Sequence, residues 1–483
     1  MGLPLIIQGG MGVAVSSWRL ARAVSLNGQL GVVSGTGLDA VFARRLQLGD
    51  PDGHMRIAVE NFPLREMAER IWHRYFVEGG KPASRAFKSR PVSSQVPSQS
   101  LLELTVLANF AEVFLAKQGH SGIVGVNLLE KIQLPTLPSL FGAMLAKVDY
   151  VLMGAGIPRA IPALLDSLAV LQPSRLKLEV VGALSGEEFF VDFDPAQFVP
   201  PGIESLPRPK FIAVISSSTL ATTLVRKGTG RVDGFVVEGP SAGGHNAPPR
   251  GAPQLSDAGE PIYGARDVPD LDEIAKLGLP FWLAGSCADP EKLLEALELG
   301  GTGIQVGTAF AFCEESGIDS GLKKEVLKRC REGLTSVYTD PFASPTGFPF
   351  KVLQLDGTLS DQDVVARRKK VCDLGYLRQT YRKEDGALGY RCPAEPEDDF
   401  VAKGGKLEDT CCRKCICNGL FATIGLAQTQ KGGDVEPALV TAGDDIANLR
   451  KILERVETSY RASDVIDYLL DRVPTNCKKL QAM

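Results

Sequence analysis

The sequence predicts an α/β protein organised as a (β/α)8 barrel, and three observations support this prediction. Eight short apolar segments of strand length recur along residues 5–308, amphipathic helical patterns separate most of them, and glycine-rich loops directly follow several. Strands that alternate with helices are typical of a parallel sheet with both faces covered. The predicted strands begin near residues 5, 31, 123, 150, 211, 234, 281 and 303. This is the number of strands in a (β/α)8 barrel, and a doubly wound open sheet is the alternative.

The composition is that of an ordinary globular protein. Of the 483 residues, 44% are hydrophobic and 23% are charged, so a sizeable core can form. The net charge of −4 and the lack of a long basic run give no electrostatic reason to expect a nucleic-acid or membrane partner. The amino terminus has no signal-like segment and no apolar run reaches membrane-spanning length, so we expect a cytoplasmic protein. The sequence does not indicate an oligomeric state.

The first strand–helix unit begins with the apolar segment Leu5-Ile6-Ile7-Gln8. The loop Gly9-Gly10-Met11-Gly12 follows it, and Ser16 or Ser17 can cap a helix that extends to Leu26. The next apolar segment completes a strand, glycine loop, helix, strand unit.

Two stretches interrupt the alternation of strands and helices. Residues 38–120, after the second strand, are far longer than an ordinary loop and carry helical patterns around residues 64–72 and 101–108. We expect this first insertion to cover one end of the barrel. Residues 176–208, after the fourth strand, alternate around Ser185-Gly186 and predict an inserted β-hairpin.

The alternation of strands and helices ends near residue 340, which is the predicted boundary of a barrel domain that comprises residues 1–340. Residues 341–483 show isolated helical patterns with long loops between them, at about 360–374, 411–426, 444–453 and 463–470. These patterns predict a mainly helical C-terminal extension or lid that packs on the barrel.

Residues 231–251 carry the strongest indication of a site. Their apolar segment ends at Glu238, and the loop that follows places Gly243 and Gly244 directly before His245. Adjacent glycines let the backbone approach a ligand closely, and their N–H groups can bind an anion. An imidazole with an ordinary pKa of about 6.5 suits proton transfer at neutral pH.

The same loop matches the G-x-S-x-G pattern of serine hydrolases at residues 239–243. That motif requires a helix directly after the serine. Pro248, Pro249 and Pro253 prevent a helix from starting there. We therefore reject a serine nucleophile and interpret the loop as a ligand-binding one.

Ten cysteines in a chain of this kind are more typical of thiols or metal ligands than of disulfides. Seven of them fall in the extension, and six of these lie between residues 372 and 417, namely Cys372, Cys392, Cys411, Cys412, Cys415 and Cys417. A zinc or iron–sulfur site with four cysteine ligands is one interpretation. We favour unliganded thiols, because the spacing matches no standard zinc knuckle and an apolar helical pattern follows. We therefore assign no metal-binding residue from the sequence.

Five short motifs occur in a fixed order along residues 4–312, outside the two insertions. They are Ile6-Ile7-Gln8-Gly9-Gly10-Met11-Gly12, Gly125-Val126-Asn127, Ala242-Gly243-Gly244-His245, Ala284-Gly285-Ser286 and Gln305-Val306-Gly307-Thr308. One glycine-rich motif is weak evidence, whereas five in the right order are a specific signal. With these motifs the chain resembles the nitronate monooxygenase (2-nitropropane dioxygenase-like) family of FMN-dependent (β/α)8 barrels.

The resemblance implies a non-covalently bound FMN and assigns residues to it. The isoalloxazine would lie against Gln8, Gly9, Gly10 and Met11, with Asn127 near the ring. The phosphate would be surrounded by Gly243, Gly244, Gly285, Ser286, Gly307 and Thr308, and Gln305 would also contribute to the cofactor site. His245 would face the substrate as a general acid or base. Asn127 can instead cap a turn, and Gln8 can instead satisfy a buried backbone group.

The resemblance also implies an oxidoreductase that oxidises a small carbanion-like substrate, such as a nitronate, with O2. The chain departs from the family pattern: Gln8-Gly9-Gly10-Met11 stands where many members have Ala-Pro-Met, Ser286 replaces a common glycine, and the link from Glu238 to the Gly-Gly-His motif is long. These departures, together with the insertion and the extension, bring it closer to the related enoyl reductases that serve polyketide and polyunsaturated fatty acid synthases in trans. Such an enzyme would use NAD(P)H and an enoyl thioester carried by an acyl carrier protein. A non-catalytic flavoprotein that acts as an assembly component is the third interpretation.

Overall fold

The computed structural model describes residues 2–430 and 432–473. Residue 1 of the predicted barrel domain, and residues 431 and 474–483 of the predicted extension, lie outside the described residues. The strands are β1 (Ile6–Gln8), β2 (Gly31–Ser34), β3 (Val124–Leu129), β4 (Tyr150–Gly154), β5 (Ser174–Lys177), β6 (Phe190–Phe193), β7 (Lys210–Ile215), β8 (Gly234–Glu238), β9 (Phe281–Ala284), β10 (Gly303–Val306), β11 (Val337–Asp340), β12 (Phe350–Leu353), β13 (Gln379–Arg382) and β14 (Leu388–Arg391).

The α-helices lie mostly between the strands of the barrel and in the extension. They are α1 (Trp18–Leu26), α2 (Leu38–Gln47), α3 (His54–Glu60), α4 (Arg65–Tyr75), α5 (Gln99–Lys117), α6 (Thr136–Leu145), α7 (Ile161–Ala169), α8 (Ser218–Lys227), α9 (Leu271–Ala275), α10 (Pro290–Glu298), α11 (Thr308–Ala311), α12 (Ser320–Glu332), α13 (Gln362–Arg367), α14 (Glu397–Ala402), α15 (Ile416–Thr423), α16 (Leu449–Leu453) and α17 (Ala462–Leu470).

Eight parallel strands form the barrel, in the spatial order β1, β10, β9, β8, β7, β4, β3, β2. The two outermost strands of this order meet through Leu30, which pairs in parallel with Ile7. The N–H of Gln8 donates to the Leu30 carbonyl at 3.0 Å, and the N–H of Leu30 donates to the Ile6 carbonyl at 3.1 Å. These bonds close the sheet, so the predicted (β/α)8 barrel is confirmed and the open doubly wound sheet is wrong.

The barrel strands are short and apolar because both of their faces are covered. Every residue of β1, β2 and β4 is buried. Gly31 in β2 shows why a small residue is needed, since a Cβ on it would overlap the backbone of Ala21 in α1. This close approach seats α1 directly on the sheet.

The first insertion is helical, as predicted, but its last helix belongs to the barrel itself. The 19-residue helix α5 packs against α1, α2 and α6 in the ring around the sheet. Among the described residues it is the helix long and apolar enough to cross a membrane, and 78% of its most apolar window is buried inside the protein. Its apolar character is therefore explained by its place in the core.

The predicted hairpin after the fourth strand is confirmed. β5 and β6 pair antiparallel, with Leu176 opposite Val191. Both of these side chains are buried in the main hydrophobic core, so the hairpin is packed against the barrel.

The extension differs from the mainly helical prediction in two ways. β11 and β12 form an antiparallel pair that spans the predicted boundary at residue 340, and β13 and β14 form a second hairpin. The helix expected at 360–374 ends at Arg367. Four-residue strands such as Gln379–Arg382 carry too few apolar residues to show a period of two, and the basic residues 367–370 offer no apolar face for a longer helix.

The extension is built into the core and does not simply rest on the barrel. Phe350, Ile416 and Leu420 share a hydrophobic cluster with Val13 and Val41 of the barrel domain. The buried carboxylate of Asp39 in α2 accepts a hydrogen bond from the Tyr376 hydroxyl at 2.6 Å and pairs with Arg90 at 2.8 Å. Because a buried carboxylate is costly without partners, these bonds fix the extension against the first insertion.

Candidate active site

A large cavity lies at the carboxyl ends of the barrel strands, beneath the extension. Twelve of the thirteen residues predicted for the site line it, namely Gly9, Gly10, Met11, Asn127, Gly243, Gly244, His245, Gly285, Ser286, Gln305, Gly307 and Thr308. They come from the loops after β1, β8, β9 and β10 and from β3 and β10 themselves. Since the carboxyl ends of parallel strands converge on one face of a barrel, five distant motifs meet in one place.

Gln8 is the predicted site residue that does not line this cavity. It is fully buried, and its side-chain amide donates to the Gly9 carbonyl and, at 2.7 Å, to Ser16 Oγ. Its Oε1 accepts from the N–H of Val32 at 3.0 Å. Gln8 therefore stabilises the barrel from inside, in agreement with the alternative that it satisfies buried backbone groups.

The loop after β1 is held firmly at one end of the cavity, which we name the ring end. Ser16 Oγ donates to the Gly9 carbonyl and accepts from the Met11 N–H, both at 2.9 Å. Gly10 lies so close to Asn127 that a Cβ on it would overlap the asparagine side chain. This contact explains the glycine at position 10 and fixes the distance between the loop and β3.

Two half-buried amides face the cavity near the ring end. Asn127 lies in β3 and Gln305 in β10, and no described residue forms a hydrogen bond with either side-chain amide. A partly buried amide without a protein partner favours a polar ligand or water. These two groups are therefore available to the polar edge of a planar heterocycle.

His245 lies in the same cavity and contacts the extension. Its Nε2 forms a 2.7 Å hydrogen bond with Ser344 Oγ, whose hydroxyl also bonds Thr346. Phe350 and Phe348 pack edge-on against the imidazole, with ring centroids 4.8 and 6.3 Å away. Nδ1 has no partner among the described residues and is the ring nitrogen left for a substrate.

Burial changes the acid–base chemistry expected of His245. Desolvation lowers the pKa of the imidazole to about 4, because the charged form loses its hydration. The ring is then neutral at pH 7, so it can accept a proton or form hydrogen bonds, but it lacks the second ring proton that a general acid would donate. The ordinary pKa expected from the sequence is not retained in the folded protein.

Glu238, at the end of β8, is a second titratable group in the cavity. Burial raises the pKa of its carboxyl to about 7. No described residue forms a hydrogen bond or an ion pair with this carboxyl, which lines both the main cavity and an adjoining smaller one. A pKa near the working pH is the property that general acid–base catalysis needs.

The six residues predicted to bind a phosphate line the same cavity, and we name this part of its wall the cradle: Gly243, Gly244, Gly285, Ser286, Gly307 and Thr308. Gly285 and Ser286 both have left-handed backbones, with φ of 101° and 53°. The Ser286 hydroxyl is buried and has no protein partner among the described residues. A strained turn with an unpaired buried hydroxyl is typical of a ligand site.

A segment of the extension lies across the cradle. Residues 439–445, which we name the strap, bond the loop after β8 at two points: the N–H of Gly244 donates to Thr441 Oγ1 at 2.8 Å, and the N–H of Asp444 donates to the Ser241 carbonyl at 3.0 Å. Gly443 donates to Thr308 Oγ1 at 2.9 Å. A Cβ on Gly243 would meet the strap backbone at 2.9 Å, whereas a Cβ on Gly244 would meet nothing within 4 Å.

The sequence did not indicate the part that the extension plays here. The N–H of Gly244, expected to point at a phosphate, is bonded to the strap. Ser344 and Thr441 lie 99 and 197 positions from their partners His245 and Gly244, in stretches without a motif. Glu238 was visible in the sequence as a carboxylate at the end of an apolar strand and directly before the glycine loop, and this position was the signal that could have identified it.

Among the cysteines of the extension that the structure describes, Cys417 lines this cavity. Cys411 and Cys412 are exposed, with their Sγ atoms 3.4 Å apart. Burial raises the pKa of the Cys415 thiol to about 11. Among the described residues, no three His, Cys, Asp or Glu side chains are grouped so that they could hold a metal ion.

The chain is similar to proteins of one enzyme family. A family model described as nitronate monooxygenase matches residues 203–340, which include His245, Ser286 and Thr308. A probable nitronate monooxygenase of Staphylococcus saprophyticus is 31% identical over 191 residues, which cover 37% of this chain and 52% of that protein. One of Bacillus subtilis is 33% identical over 114 residues, covering 23% of this chain and 30% of the relative. The chain thus spans about half the length of the first of these relatives, and less of the second.

The whole chain also superposes on solved structures at low similarity. FabK from Thermotoga maritima is 16% identical, with 99% of this chain and 95% of that chain covered and a TM-score of 0.49. The strand pairing described above, and not this likeness, establishes the barrel. Residues 203–340 thus match the nitronate monooxygenase model, and the curated relatives that the chain resembles carry the same description.

Proposed function

We propose that this protein is an FMN-dependent oxidoreductase that oxidises a small carbanion-like substrate, such as a nitronate, with O2. One observation carries the proposal: a single cavity combines a glycine loop and two free amides at the ring end, an unpaired hydroxyl in the cradle, and two titratable groups. The match of residues 203–340 to the nitronate monooxygenase model supports the same proposal.

The residues present fit a flavin along the length of the cavity. Gly9, Gly10 and Met11 form a close backbone surface for the ring, and Asn127 and Gln305 are free to bond its polar edge. The Ser286 hydroxyl in the cradle lacks a protein partner and would bond the far end of the cofactor. When bound, FMN supplies the redox chemistry, so the protein must bind, orient and move protons.

The chain's own part in the reaction falls to His245 and Glu238. Ser344 holds the imidazole by Nε2 and leaves Nδ1 to bond or deprotonate the substrate. With a pKa of about 4, the ring is a neutral base at pH 7. Glu238, with a pKa of about 7, holds a proton below neutral pH and accepts one above it. The aromatic rings of Phe348 and Phe350 shield the imidazole from water.

The second candidate is an FMN- and NAD(P)H-dependent enoyl-thioester reductase with an acyl carrier protein as its partner. The observation in its favour is the smaller cavity, which shares Glu238 and His245 with the main one and extends to Arg250 and Tyr263. Two adjoining cavities that share these residues would together give room for a longer, bulkier substrate than a nitroalkane. A non-catalytic flavoprotein is the third candidate.

An anaerobic reduction experiment distinguishes these functions. The oxidised protein is mixed with propionate-3-nitronate or, separately, with NADPH, and the flavin absorbance is followed. We expect bleaching by the nitronate alone and the release of FMN, not FAD, on denaturation. Rapid bleaching by NADPH, with reoxidation by an enoyl thioester, would instead establish the reductase.

Two further outcomes decide against both enzyme proposals. A bound flavin that neither reagent reduces would leave only the non-catalytic flavoprotein. A protein that binds no flavin would contradict the FMN proposal itself. His245→Ala serves as the matched control, because it should keep the flavin spectrum while slowing the bleaching.

A further inference from the structure

Two adjacent cysteines of the extension carry thiols that the active site does not use. Cys411 and Cys412 are both exposed, and their Sγ atoms lie 3.4 Å apart. The other seven cysteines that the structure describes are buried or half-buried. Reagents in solvent therefore reach this pair more readily than any other described thiol. An accessible thiol beside a second, resolving thiol is typical of redox-sensing cysteines.

The turn that carries the pair holds Cys412 in an unusual conformation. Its φ of 60° lies in the left-handed region, which a residue with a Cβ rarely adopts. The two Cα atoms are neighbours across one trans peptide and so lie about 3.8 Å apart, whereas the Cα atoms of an ordinary disulfide are about 4.4–6.8 Å apart. A disulfide between Cys411 and Cys412 would therefore be strained, and strained or exposed disulfides are readily reduced.

The residues that directly follow the pair hold the loop that positions His245. The guanidinium of Arg413 donates to the first and third carbonyls of the loop 342–344, at 2.8 and 2.6 Å. The N–H of Lys414 donates to the middle carbonyl at 2.9 Å. The third residue of this loop is Ser344, whose hydroxyl bonds Nε2 of His245 at 2.7 Å. A movement of the backbone at the pair is therefore passed to the imidazole through one loop.

We propose that Cys411 and Cys412 form a modification site, at which a low-molecular-weight disulfide converts the two thiols into a reversible vicinal disulfide, and that this bond loosens the loop 342–344. The site itself does not rest on the proposed function. Its effect on turnover does, because that effect acts through His245.

The reaction is a thiol–disulfide exchange in two steps. The hydrogen bond to Cys411 raises the pKa of the Cys412 thiol, so we assign the first attack to Cys411. Its thiolate attacks one sulfur of glutathione disulfide, which forms a mixed disulfide and releases one glutathione. The thiolate of Cys412 then attacks Sγ of Cys411, which forms the vicinal bond and releases the second glutathione. The two cysteines lose two electrons and two protons, and the glutathione disulfide takes up both to become two thiols.

Closing this bond must move the backbone that follows it. The two Sγ atoms approach from 3.4 Å to about 2.05 Å, and the small ring so formed includes the peptide between the two cysteines. Arg413 is attached directly to this ring, so its two hydrogen bonds to the loop 342–344 should weaken. Ser344 then holds the imidazole of His245 less firmly. The loss of one positioning bond should lower turnover by about tenfold or less.

The test treats the full-length protein with glutathione disulfide and then with dithiothreitol. Trypsin cleaves after Lys406 and Arg413, so residues 407–413 form one peptide that contains both cysteines of the pair and no other. We expect this peptide to become lighter by two hydrogen atoms on oxidation and to regain its mass on reduction. In the oxidised protein the amide of Lys414 should exchange its hydrogen about fivefold faster or more, because its acceptor lies in the loosened loop.

Cys411→Ser and Cys412→Ser are the matched controls. Each variant keeps one exposed thiol and can take up one glutathione, but neither can close the ring. After the same treatment, both should retain their turnover and the exchange rate of the Lys414 amide. If either variant loses as much turnover as the wild type, another thiol is responsible, such as Cys417 in the cavity, and the proposal is refuted.

The measurements on the wild type need no variant, so the inference stays falsifiable if a variant does not fold. A peptide 407–413 that keeps its mass, or that retains one glutathione without losing two hydrogen atoms, would refute the site. A vicinal disulfide that leaves exchange at Lys414 unchanged would refute its coupling to the loop. A protein without nitronate turnover would contradict the proposed function alone, because the peptide mass and the exchange rate still decide this inference.

Discussion

The ring end and the cradle end of the cavity are built from different parts of the chain. At the ring end, the loop after β1 is held by Ser16 and by the packing of Gly10 on Asn127, all within the first three strands of the barrel. At the cradle end, the loop after β8 is held by the strap, with 197 positions between Gly244 and Thr441. One end is part of the barrel, while the other depends on the docking of the extension.

The two ends of the cavity should therefore differ in how they open: one by global unfolding of the barrel and the other by local opening of the strap. Buried, short-range bonds such as those of Gln8 open only when the barrel itself unfolds. The strap is joined to the cradle by a few hydrogen bonds, which can open locally at a lower free energy. Substitutions at the ring end should therefore lower the free energy of unfolding of the whole barrel. Substitutions at the cradle end should mainly lower the free energy of local opening of the strap.

The largest effect is expected at His245, which belongs to neither end. His245→Ala should keep its flavin spectrum and lose turnover by about 10²–10⁴-fold, the usual contribution of a general acid or base. Both ends of the cavity remain intact in this variant, so binding and turnover should separate. Steady-state kinetics together with flavin absorbance check this expectation.

Ser344→Ala is the control for His245, because it removes the Nε2 hydrogen bond but keeps the imidazole. The loss of one positioning bond should cost about tenfold or less in turnover. A loss of flavin in His245→Ala would make this residue a cofactor ligand. Unchanged turnover would assign the proton transfer to Glu238.

Glu238 should make stability depend on pH. Its carboxyl has a pKa of about 7 in the folded protein against 4.5 in the unfolded chain. Below pH 4.5 both states hold the proton; as the pH rises through 7, the folded state must bury a charge, and stability is lost. Between pH 5 and 8 the free energy of unfolding should fall by about 2–3 kcal/mol more in wild type than in Glu238→Gln.

Urea denaturation at both pH values measures this difference directly. His245 titrates in the opposite sense, since its lowered pKa makes the protein less stable as the pH falls from 6.5 towards 4. That contribution is present in both proteins and cancels in the comparison. Equal pH dependence in the two proteins would show that the Glu238 carboxyl is not buried in solution.

The barrel and the ring end could be predicted from the sequence because their signals are local. Each barrel strand is an apolar run of three to six residues, and the site glycines follow the strands directly. The roles of Ser344 and Thr441 depend on contacts between segments about 100–200 positions apart, and short polar residues in loops carry no periodic signal. Asp444 and Asp445 begin a predicted helix, where acidic residues are ordinary, so nothing in the sequence marked Asp445 as a residue that lines the cavity.

The pKa of His245 could not be predicted from the sequence either. It depends on burial by Phe348 and Phe350, which come from a hairpin that the sequence did not reveal. The Gly-Gly-His motif therefore predicted that the imidazole of His245 lies in the cavity. The protonation state of that imidazole depends on the extension, which the motif does not include.

The two ends should also differ in their response to an added methyl group. Gly10→Ala places a Cβ against Asn127 inside the barrel, and overpacking of this kind costs about 1–3 kcal/mol. The Cβ of Gly244→Ala meets nothing within 4 Å, so this variant should lose only the cost of a left-handed backbone with a φ of 83°, about 1 kcal/mol of unfolding free energy. Chemical denaturation measures the unfolding free energy of both variants. A larger loss in Gly244→Ala than in Gly10→Ala would contradict the expected difference between the two ends.

The smallest effect, and the most specific to the strap, is expected at Thr441. Thr441→Val keeps the shape of the side chain but leaves the N–H of Gly244 without its 2.8 Å acceptor, at a cost of about 1 kcal/mol. Hydrogen exchange at Gly244 should become about fivefold to tenfold faster, with little change at Gly9, whose N–H bonds the Val306 carbonyl at the ring end. Thr223→Val, which removes a hydroxyl bond on the surface of α8, is the matched control and should alter neither amide. Equal acceleration at Gly244 and Gly9 would mean that the strap and the barrel open together, and the two ends of the cavity would then form one cooperative unit.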